Sequence, residues 1–390
     1  MGNGTGAGDE LYVGLMSGTS LDAVDAVLAD LARAPPRILA TLSHGYPEEL
    51  RAELLALCAP GGDELARAAR LDGHLGRLYG EVVLQLLAGA GVEPGRVSAI
   101  GSHGQTVRHY PDPEVAQSIQ LGDPNLIAEL TGITTVADFR RRDMAAGGEG
   151  APLVPAFHAE VFRRDGVDRA IVNIGGIANV TVLPGQRAMP ATGFDTGPGN
   201  VLLDAWCRAH LDRPMDRDGH WAESGRPVAG LLDRLLADPF FHRRPPKSTG
   251  RERFNLGWVE ERLRGLPAPL EPEDVQATLV ALTAASIALA LAEHASQTQE
   301  VYVCGGGARN PVLMRALQAR VAPRRVATTA ALGVEPRWVA AVAFAWLAQQ
   351  SLRGLPGNLT AVTGARAPVT LGGVYPGRPR QGPPAHRATP

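Results

Sequence analysis

The segment "GLMSGTSLDAVDA", residues 14–26, joins the end of a buried strand to a hydroxyl-rich glycine turn. Leu11–Met16 is short and apolar, as a buried strand is, and Ser17-Gly18-Thr19-Ser20 follows it directly. Glycine allows positive φ and a close approach of the backbone to a ligand, so that N–H groups can converge on an anion. The pattern therefore predicts a phosphate-binding turn, with Asp22 and Asp25 just beyond it.

Two more strand-like segments end at glycines. They are "RAIVNIGGIANVTVLP" (169–184) and "EVYVCGGGARNPVLMRAL" (300–317). The second predicts a helix over 308–317, whose N-terminus would add donors for an anion. One such turn is common in any protein, whereas three at strand ends favour a nucleotide. The P-loop and dinucleotide fingerprints are absent, which leaves a two-lobed fold with one phosphate hairpin from each lobe.

Length, charge and cysteine content narrow the class of protein. The 390 residues suffice for about two domains, and the net charge of −2 argues against nucleic acid or a membrane surface as partner. Three scattered cysteines match neither a disulfide framework nor a zinc site, which favours the cytoplasm. The long apolar segment 275–295 contains threonine and serine and predicts a buried helix, not a membrane span.

The remaining pattern is that of an α/β protein. Residues 81–92 predict a helix that ends at glycine, and residues 97–107 predict a strand that runs into a polar turn. The glycine-rich residues 1–10 predict a flexible start, and the proline-rich residues 377–390 predict a disordered tail.

Several long motifs resemble those of the anhydro-N-acetylmuramic acid kinase family. The resemblance runs from about residue 11 to about residue 376. It rests on "MSGTSLDAVD" (16–25), "GSHGQTVRH" (101–109), "QLGDPNLIAELTGI" (120–133), "DFRRRDMAAGGEGAPLVP" (138–155), "NIGGIANVT" (173–181), "GFDTGPGN" (193–200), "DRDG" (216–219), "PPKSTGRERFN" (245–255) and "CGGGARNPVLM" (304–314).

The resemblance implies a two-lobed actin-like ATPase fold of class α/β, in which each lobe has a ribonuclease-H-like sheet flanked by helices. Domain I would comprise 11–138 plus 358–376, and domain II would comprise 139–357. The implied activity uses ATP and Mg²⁺ to open 1,6-anhydro-N-acetylmuramic acid with water and to phosphorylate O6. This reaction serves peptidoglycan recycling in the cytoplasm, and a homodimer is left open.

The resemblance also implies the nucleotide contacts. In the first turn these are Gly18, Thr19, Ser20, Leu21, Asp22, Ala23, Val24 and Asp25. The second hairpin adds Gly175, Gly176 and Asn179, and Gly305, Gly306 and Gly307 would run beneath the base and ribose. Asp22 and Asp25 would orient the donors or hold Mg²⁺ through water. The alternative is that both aspartates stabilise the start of a helix.

Asp195 in "GFDTGPGN" is the catalytic residue that the resemblance implies. Opening the anhydro bond needs a base that activates water. A second carboxylic acid is not required, because the phosphoryl group takes the departing oxygen that glycosidases protonate. The alternative is that Asp195 only caps the turn before the next helix.

Substrate contacts follow from the same motifs. Arg140 is the first candidate for the lactyl carboxylate, with Arg141 or Arg142 as alternatives. Ser102, His103 and Gln105 suit sugar hydroxyls or the acetamido group, and Glu149 with Gly147–Gly148 would line the entry to the site.

Two positions leave questions open. Lys247 is the only lysine of the chain and could lie near a phosphate or in a solvated loop. Ala340 stands where the family usually has glutamate. The alternatives to the anhydrosugar kinase are therefore a non-catalytic or regulatory nucleotide-binding module and a kinase for another sugar.

Overall fold

The fold is described by a computed structural model over residues 9–18, 21, 23–112, 114–251 and 253–378. Thr19, Ser20 and Asp22 of the first turn lie outside the described residues, as do 1–8 of the predicted flexible start and 379–390 of the predicted tail. The chain divides into two compact units. The first unit contains the described residues up to Arg142, Ala341–Gly357 and the described residues from Val369, and the second contains Asp143–Ala340 and Asn358–Pro368.

Groups of strands are followed by groups of helices along the chain. The strands are β1 (Leu11–Ser17), β2 (Ala23–Asp30), β3 (Arg37–Gly45), β4 (Ala99–Ser102), β5 (Gln105–Tyr110), β6 (Gln117–Leu121), β7 (Thr135–Ala137), β8 (Arg169–Ile174), β9 (Ile177–Leu183), β10 (Thr192–Pro198), β11 (Glu300–Cys304), β12 (Arg325–Thr328) and β13 (Gly373–Tyr375). The helices are α1 (Glu48–Leu57), α2 (Glu64–Ala90), α3 (Pro124–Thr131), α4 (Phe139–Ala145), α5 (Val154–Phe162), α6 (Asn200–Leu211), α7 (His220–Ser224), α8 (Ala229–Leu236), α9 (Leu256–Leu263), α10 (Pro272–His294), α11 (Pro311–Val321), α12 (Val339–Leu352) and α13 (Thr360–Thr363).

The two main sheets share one topology. The first has the order β13-β7-β4-β1-β2-β3 and the second the order β10-β9-β8-β11-β12. In each, three consecutive strands form an antiparallel meander, and two later strands add in parallel beside the first strand of the meander. This is the ribonuclease-H-like order, so the predicted α/β fold class is confirmed.

Helix α12 packs directly on the first sheet. A Cβ atom added at Gly14 of β1 would collide with the Ala341 carbonyl, and one at Gly101 of β4 would collide with the Phe344 carbonyl. Only glycine allows this close approach. Ala341–Gly357 therefore belongs to the first unit, although the predicted domain II continued to residue 357.

Residues 358–368 belong to the second unit, although they were predicted to belong to domain I. The carboxylate of Asp143 explains this placement, because its Oδ1 accepts hydrogen bonds from Asn358 Nδ2 at 2.6 Å and from Thr363 Oγ1 at 2.7 Å. Asp143 is fully buried, and Gly150 N donates to its Oδ2 at 2.8 Å. A buried carboxylate must be satisfied in this way, so the segment is tied to the start of the second unit.

Helix α10 lies in the core of the second unit, as predicted for residues 275–295. Its apolar side chains contact those of the second sheet and of helices α6, α8 and α11. In the described part of the chain it is the one helix long and apolar enough to cross a membrane, and 78% of its most apolar window is buried inside the protein. The burial of α10 explains why its sequence is apolar, because a helix that is buried on all sides needs no polar face.

Candidate active site

A row of polar side chains crosses one end of the second sheet. Asn173 of β8 lies opposite Asn179 of β9, and Asn179 lies opposite Asp195 of β10. Residues directly opposed in a sheet share a face. All three are partly exposed, whereas the residues on either side of Asp195 are buried. The register thus brings Asp195 next to Asn179 of the predicted hairpin.

Backbone groups of residues 247–249 orient Asp195. The Asp195 N–H donates to the Lys247 carbonyl at 3.1 Å, and the Thr249 N–H donates to Asp195 Oδ2 at 3.0 Å. A β-bulge lies between Asp195 and Gly197, and such bulges redirect side chains at sheet ends. Backbone groups from outside β10 therefore hold the Asp195 carboxylate in a defined orientation.

The hairpin at Gly175–Gly176 is clamped on one side and open on the other. Gly199 N and Val201 N donate to the Gly176 carbonyl at 2.9 and 3.0 Å, and Asn200 N donates to the Gly175 carbonyl at 2.8 Å. A Cβ added at Gly175 would meet no atom nearer than 3.5 Å. The first turn of α6 thus fixes the hairpin, while space remains beside Gly175 for a ligand.

The turn at Gly305–Gly307 packs on the end of β8. Gly305 has φ +81°, and a Cβ there would lie 2.5 Å from Asn173 Oδ1. A Cβ at Gly307 would collide with the Ile174 side chain, whereas one at Gly306 would lie 3.6 Å from its nearest neighbour. Gly305 and Gly307 are therefore needed for packing, whereas a side-chain methyl group at Gly306 would fit without a clash.

The helix predicted over 308–317 begins later than expected. Gly306–Arg309 is a short 3-10 helix, and α11 starts at Pro311 with Asn310 as its N-cap. The Asn310 Oδ1 accepts from Val312 N and Leu313 N at 3.0 and 3.1 Å. The predicted contribution of these helix donors to an anion is therefore wrong, because Asn310 already binds them.

In the first unit, the turn after β1 leads into a strand. Leu21 N donates to the Gly18 carbonyl at 3.3 Å, and β2 begins at Ala23. Asp25 lies within β2, opposite Met16 and Ser43, so the alternative in which it stabilises a helix start is wrong. The side chains of Leu21 and Val24 are buried in the core, and the register pairs Val24 with Ser17 of β1 and His44 of β3.

Gln105 supports this turn. It is fully buried, its Nε2 donates to the Gly18 carbonyl at 3.2 Å, and its Oε1 accepts from Ser17 Oγ. Tyr46 donates to Ser17 Oγ at 2.8 Å and contacts the hydroxyl of Tyr79 at the same distance. The structure thus gives Gln105 a different role from the predicted sugar contact. The sequence around the two tyrosines contains no pattern that predicts these hydrogen bonds.

His103 and Arg140 form a pair. Arg140 Nη2 lies 2.8 Å from His103 Nε2, and His103 Nδ1 lies 2.7 Å from the Gly104 carbonyl. A guanidinium can only donate and a carbonyl can only accept, so His103 is neutral with its proton on Nδ1. Burial, with help from Arg140, lowers the pKa of His103 to about 3. The neutral imidazole orients the guanidinium.

A cavity of about 310 Å³ in the first unit contains other predicted residues. Its lining includes Ser102, His103, Asp138, Arg141 and Tyr375. The Ser102 Oγ is buried and has no hydrogen-bond partner among the described residues. Arg141 forms an ion pair with Asp138 at 2.5 Å, so it is a weaker candidate than Arg140 for binding a carboxylate. Arg142 is exposed.

Glu149 lies in the second unit, beside the segment that orients Asp195. Its Oε2 accepts from Ser248 Oγ at 3.3 Å, and its N–H donates to the Thr363 carbonyl at 2.8 Å. The preceding Gly148 contacts the Asp143 carboxylate so closely that a Cβ there would collide with it. Glu149 is thus fixed by its backbone.

The chain was compared with known proteins. The family model described as "Anhydro-N-acetylmuramic acid kinase" matches residues 10–377. The anhydro-N-acetylmuramic acid kinase of Nitrosospira multiformis is 51% identical over 365 residues, which cover 94% of this chain and 98% of that protein. The protein of the same name from Thiobacillus denitrificans is 52% identical over 368 residues, covering 94% and 97%.

Similarity to solved structures is more distant. An activator of 2-hydroxyisocaproyl-CoA dehydratase from Clostridium difficile aligns with a TM-score of 0.46 at 14% identity, covering 88% of this chain and 97% of that one. The matched span and the identity to curated relatives settle the family. This chain belongs to the anhydro-N-acetylmuramic acid kinase family.

Proposed function

We propose that this kinase opens the 1,6-anhydro bond of anhydro-N-acetylmuramic acid with water and phosphorylates O6. Water adds to the anomeric carbon and gives up a proton. The bond from that carbon to O6 breaks, and O6 receives the γ-phosphoryl group of ATP. The products are N-acetylmuramic acid 6-phosphate, ADP and a proton. Kinase activity itself follows from membership of the family.

Asp195 is the general base in this proposal. The observation that carries it is the orientation of its carboxylate, to which Thr249 N donates, on the sheet face that also presents Asn179. A base that accepts a proton from water needs a fixed carboxylate close to the reacting atoms. The hydrogen bond from Thr249 N fixes the Asp195 carboxylate, as this role needs.

The glycine turns of the second unit fit the nucleotide. A Cβ at Gly175 or at Gly306 would meet its nearest neighbour only at 3.5 or 3.6 Å, whereas the Gly176 carbonyl is held by hydrogen bonds and Gly307 packs on Ile174. Backbone N–H groups in such turns bind phosphate without the steric hindrance of a side chain. We assign Gly175, Gly176 and Asn179 to the phosphates, and Gly305–Gly307 to the base and ribose.

Mg²⁺ fits as a companion of ATP. Within the described ranges, no group of three or more histidine, cysteine, aspartate or glutamate side chains could hold a metal ion. Mg²⁺ usually keeps several waters and binds substrate phosphates with one or two carboxylates. Asp25 is the described carboxylate nearest in sequence to the first turn. When bound, the ion would neutralise phosphate charge.

The first unit supplies the sugar contacts in this proposal. Arg140, oriented by neutral His103, is suited to the lactyl carboxylate because a guanidinium binds a carboxylate through two parallel hydrogen bonds. The buried Ser102 Oγ lacks a partner and lines the cavity described above, so a sugar hydroxyl or acetamido group would satisfy it.

The proposed setting is peptidoglycan recycling in the cytoplasm. The anhydro sugar carries the lactyl ether of muramic acid, so it derives from the bacterial cell wall. Cys58, Cys207 and Cys304 are free thiols, which suits a reducing compartment.

The experiment is a coupled ADP-release assay with Mg-ATP and the anhydro sugar. Asp195→Asn should lower kcat about a thousandfold, because an amide cannot take the proton from water. Asp168→Asn is the matched control, since Asp168 also accepts from a backbone N–H, that of Gly185 at 2.7 Å, but precedes β8. The control should retain kcat. Full turnover by Asp195→Asn would refute the base assignment.

A further inference from the structure

Lys247 is the only lysine of the chain, and it lies in the protein interior. It is 5% exposed, and its Nζ donates to the carbonyls of Phe240 and Phe241 at 3.3 and 3.1 Å. Its Nζ also lies 5.0 Å from the centre of the Phe240 ring and 5.8 Å from that of Phe194. The solvated-loop alternative is therefore wrong.

The ammonium group is held in place at an electrostatic cost. Burial lowers the pKa of Lys247, as does Arg243, while Glu293 and Asp195 act in the opposite direction. A buried cation is retained only where carbonyl oxygens, aromatic faces or nearby carboxylates compensate its lost hydration. All three kinds of group surround Lys247, so its position is specified by the fold.

The backbone of the same residue contacts the proposed base. The Lys247 carbonyl accepts from Asp195 N, and two residues later Thr249 N donates to Asp195 Oδ2. Ser248, between them, donates to Glu149. The buried ammonium thus ties residues 247–249 to the 3-10 helix Pro239–His242, and Lys247 and Thr249 of this segment hydrogen-bond to Asp195.

We propose that Lys247 is a positioning residue for Asp195. It acts through the backbone of residues 247–249 and touches neither nucleotide nor sugar. Two of its three N–H donors bind carbonyls of the second unit and its side chain is buried, which argues against a phosphate contact. The inference rests on the proposed role of Asp195 as the base.

The test uses Lys247→Met, which keeps the length of the side chain and removes its charge and donors. A misplaced carboxylate should lower kcat about a hundredfold, with KM for ATP and for the sugar unchanged. Rates are expressed per nucleotide-binding site, so loss of folded protein is not counted. Lys247→Arg keeps a cation and donors, so its kcat should be at least about tenfold higher than that of Lys247→Met.

A matched control and a double variant separate positioning from stability. Arg169→Met also removes a buried cation of the second unit, one paired with Glu300 at 2.8 Å, and should lower thermal stability without changing kcat per site. Adding Lys247→Met to Asp195→Asn should cost nothing further in kcat, because both act through one carboxylate.

Three results would overturn the inference. The first is an unchanged kcat per site in Lys247→Met, the second is a raised KM for ATP, and the third is a full additional loss in the double variant. These results leave the proposed function standing if Asp195→Asn alone is inactive. If Asp195→Asn is active, the proposed function fails first and the inference fails with it.

Discussion

At the scale of a single residue, the surroundings of His103 determine its protonation state. An exposed histidine would titrate near neutral pH, but burial and Arg140 lower the pKa of His103 to about 3. The ring also packs at a tilt against Phe344 of α12, with 4.7 Å between the ring centres. His103 therefore remains neutral wherever the enzyme is folded and active, and its function is to accept a hydrogen bond from Arg140.

His103→Phe should raise KM for the anhydro sugar about tenfold, because the ring remains but the acceptor for Arg140 is lost. kcat should change less. His158→Phe is the control, since His158 is also buried with a pKa of about 3 but bonds Thr181 in the second unit. Steady-state kinetics with varied sugar distinguish the two variants.

The pH dependence of kcat/KM tests the neutral state of His103 a second time. Because the pKa of His103 lies near 3, the fraction of neutral His103 does not change between pH 5 and 8. The kcat/KM profile of His103→Phe should thus keep the wild-type shape at a lower level. Loss of a limb of the profile in that range would show that His103 titrates during turnover.

Three residues show what the local sequence could not reveal. The motif around Gln105 indicated a polar site, but its side chain binds the Gly18 turn, which is distant in sequence. Asp25 follows a glycine turn as a helix-start aspartate would, yet β2 pairs it with β3. Asn310 caps α11 and withdraws donors from the predicted anion site. Each outcome depends on pairing or side-chain hydrogen bonds that one segment does not contain.

At the scale of elements, glycines in one turn have separate tasks. Gly305 and Gly307 are needed because β8 lies too close for a Cβ, whereas Gly306 has room. The sequence shows three equivalent glycines. Only the packing of the turn on Asn173 and Ile174 distinguishes them, so the sequence predicts the turn but not which glycine faces a ligand.

The two adjacent glycines provide a matched pair of variants. Gly306→Ala should raise KM for ATP about tenfold with little loss of stability, because its methyl group would project into the nucleotide space. Gly307→Ala should lower the free energy of unfolding by about 1–3 kcal/mol, because its methyl group meets Ile174. Nucleotide titration and thermal denaturation measure the two effects. Equal KM values for ATP in both variants would contradict this assignment.

The elements with strong local signals were predicted well. The strand at Leu11–Met16 is observed as β1. The helix predicted over 81–92 is the last part of α2, which begins at Glu64 and ends at Ala90 with Gly91 as its C-cap, and the Gly91 φ of +64° explains the glycine. Residues 341–357 were predicted to belong to domain II but lie in the first unit, because α12 packs against two glycines of the first sheet. Contacts between segments far apart in sequence decide such boundaries.

At the scale of the whole molecule, each of the two units contains some of the residues of the proposed chemistry. The second unit contains Asp195, Lys247 and two glycine turns, and the first contains Arg140, His103 and the turn after β1. Ala340, at the start of α12, is half-buried, and the resemblance implied a glutamate at this position. We therefore expect turnover to proceed without a carboxylate there.

The most direct test is turnover of the anhydro sugar by the unmodified protein in water enriched in oxygen-18, with rapid quenching and mass analysis of the product. We expect one N-acetylmuramic acid 6-phosphate for each ADP, with the heavy oxygen at the anomeric carbon and none in the phosphate. ADP formed together with labelled inorganic phosphate and no phosphosugar would contradict it. So would phosphorylation of an ordinary hexosamine in place of the anhydro sugar.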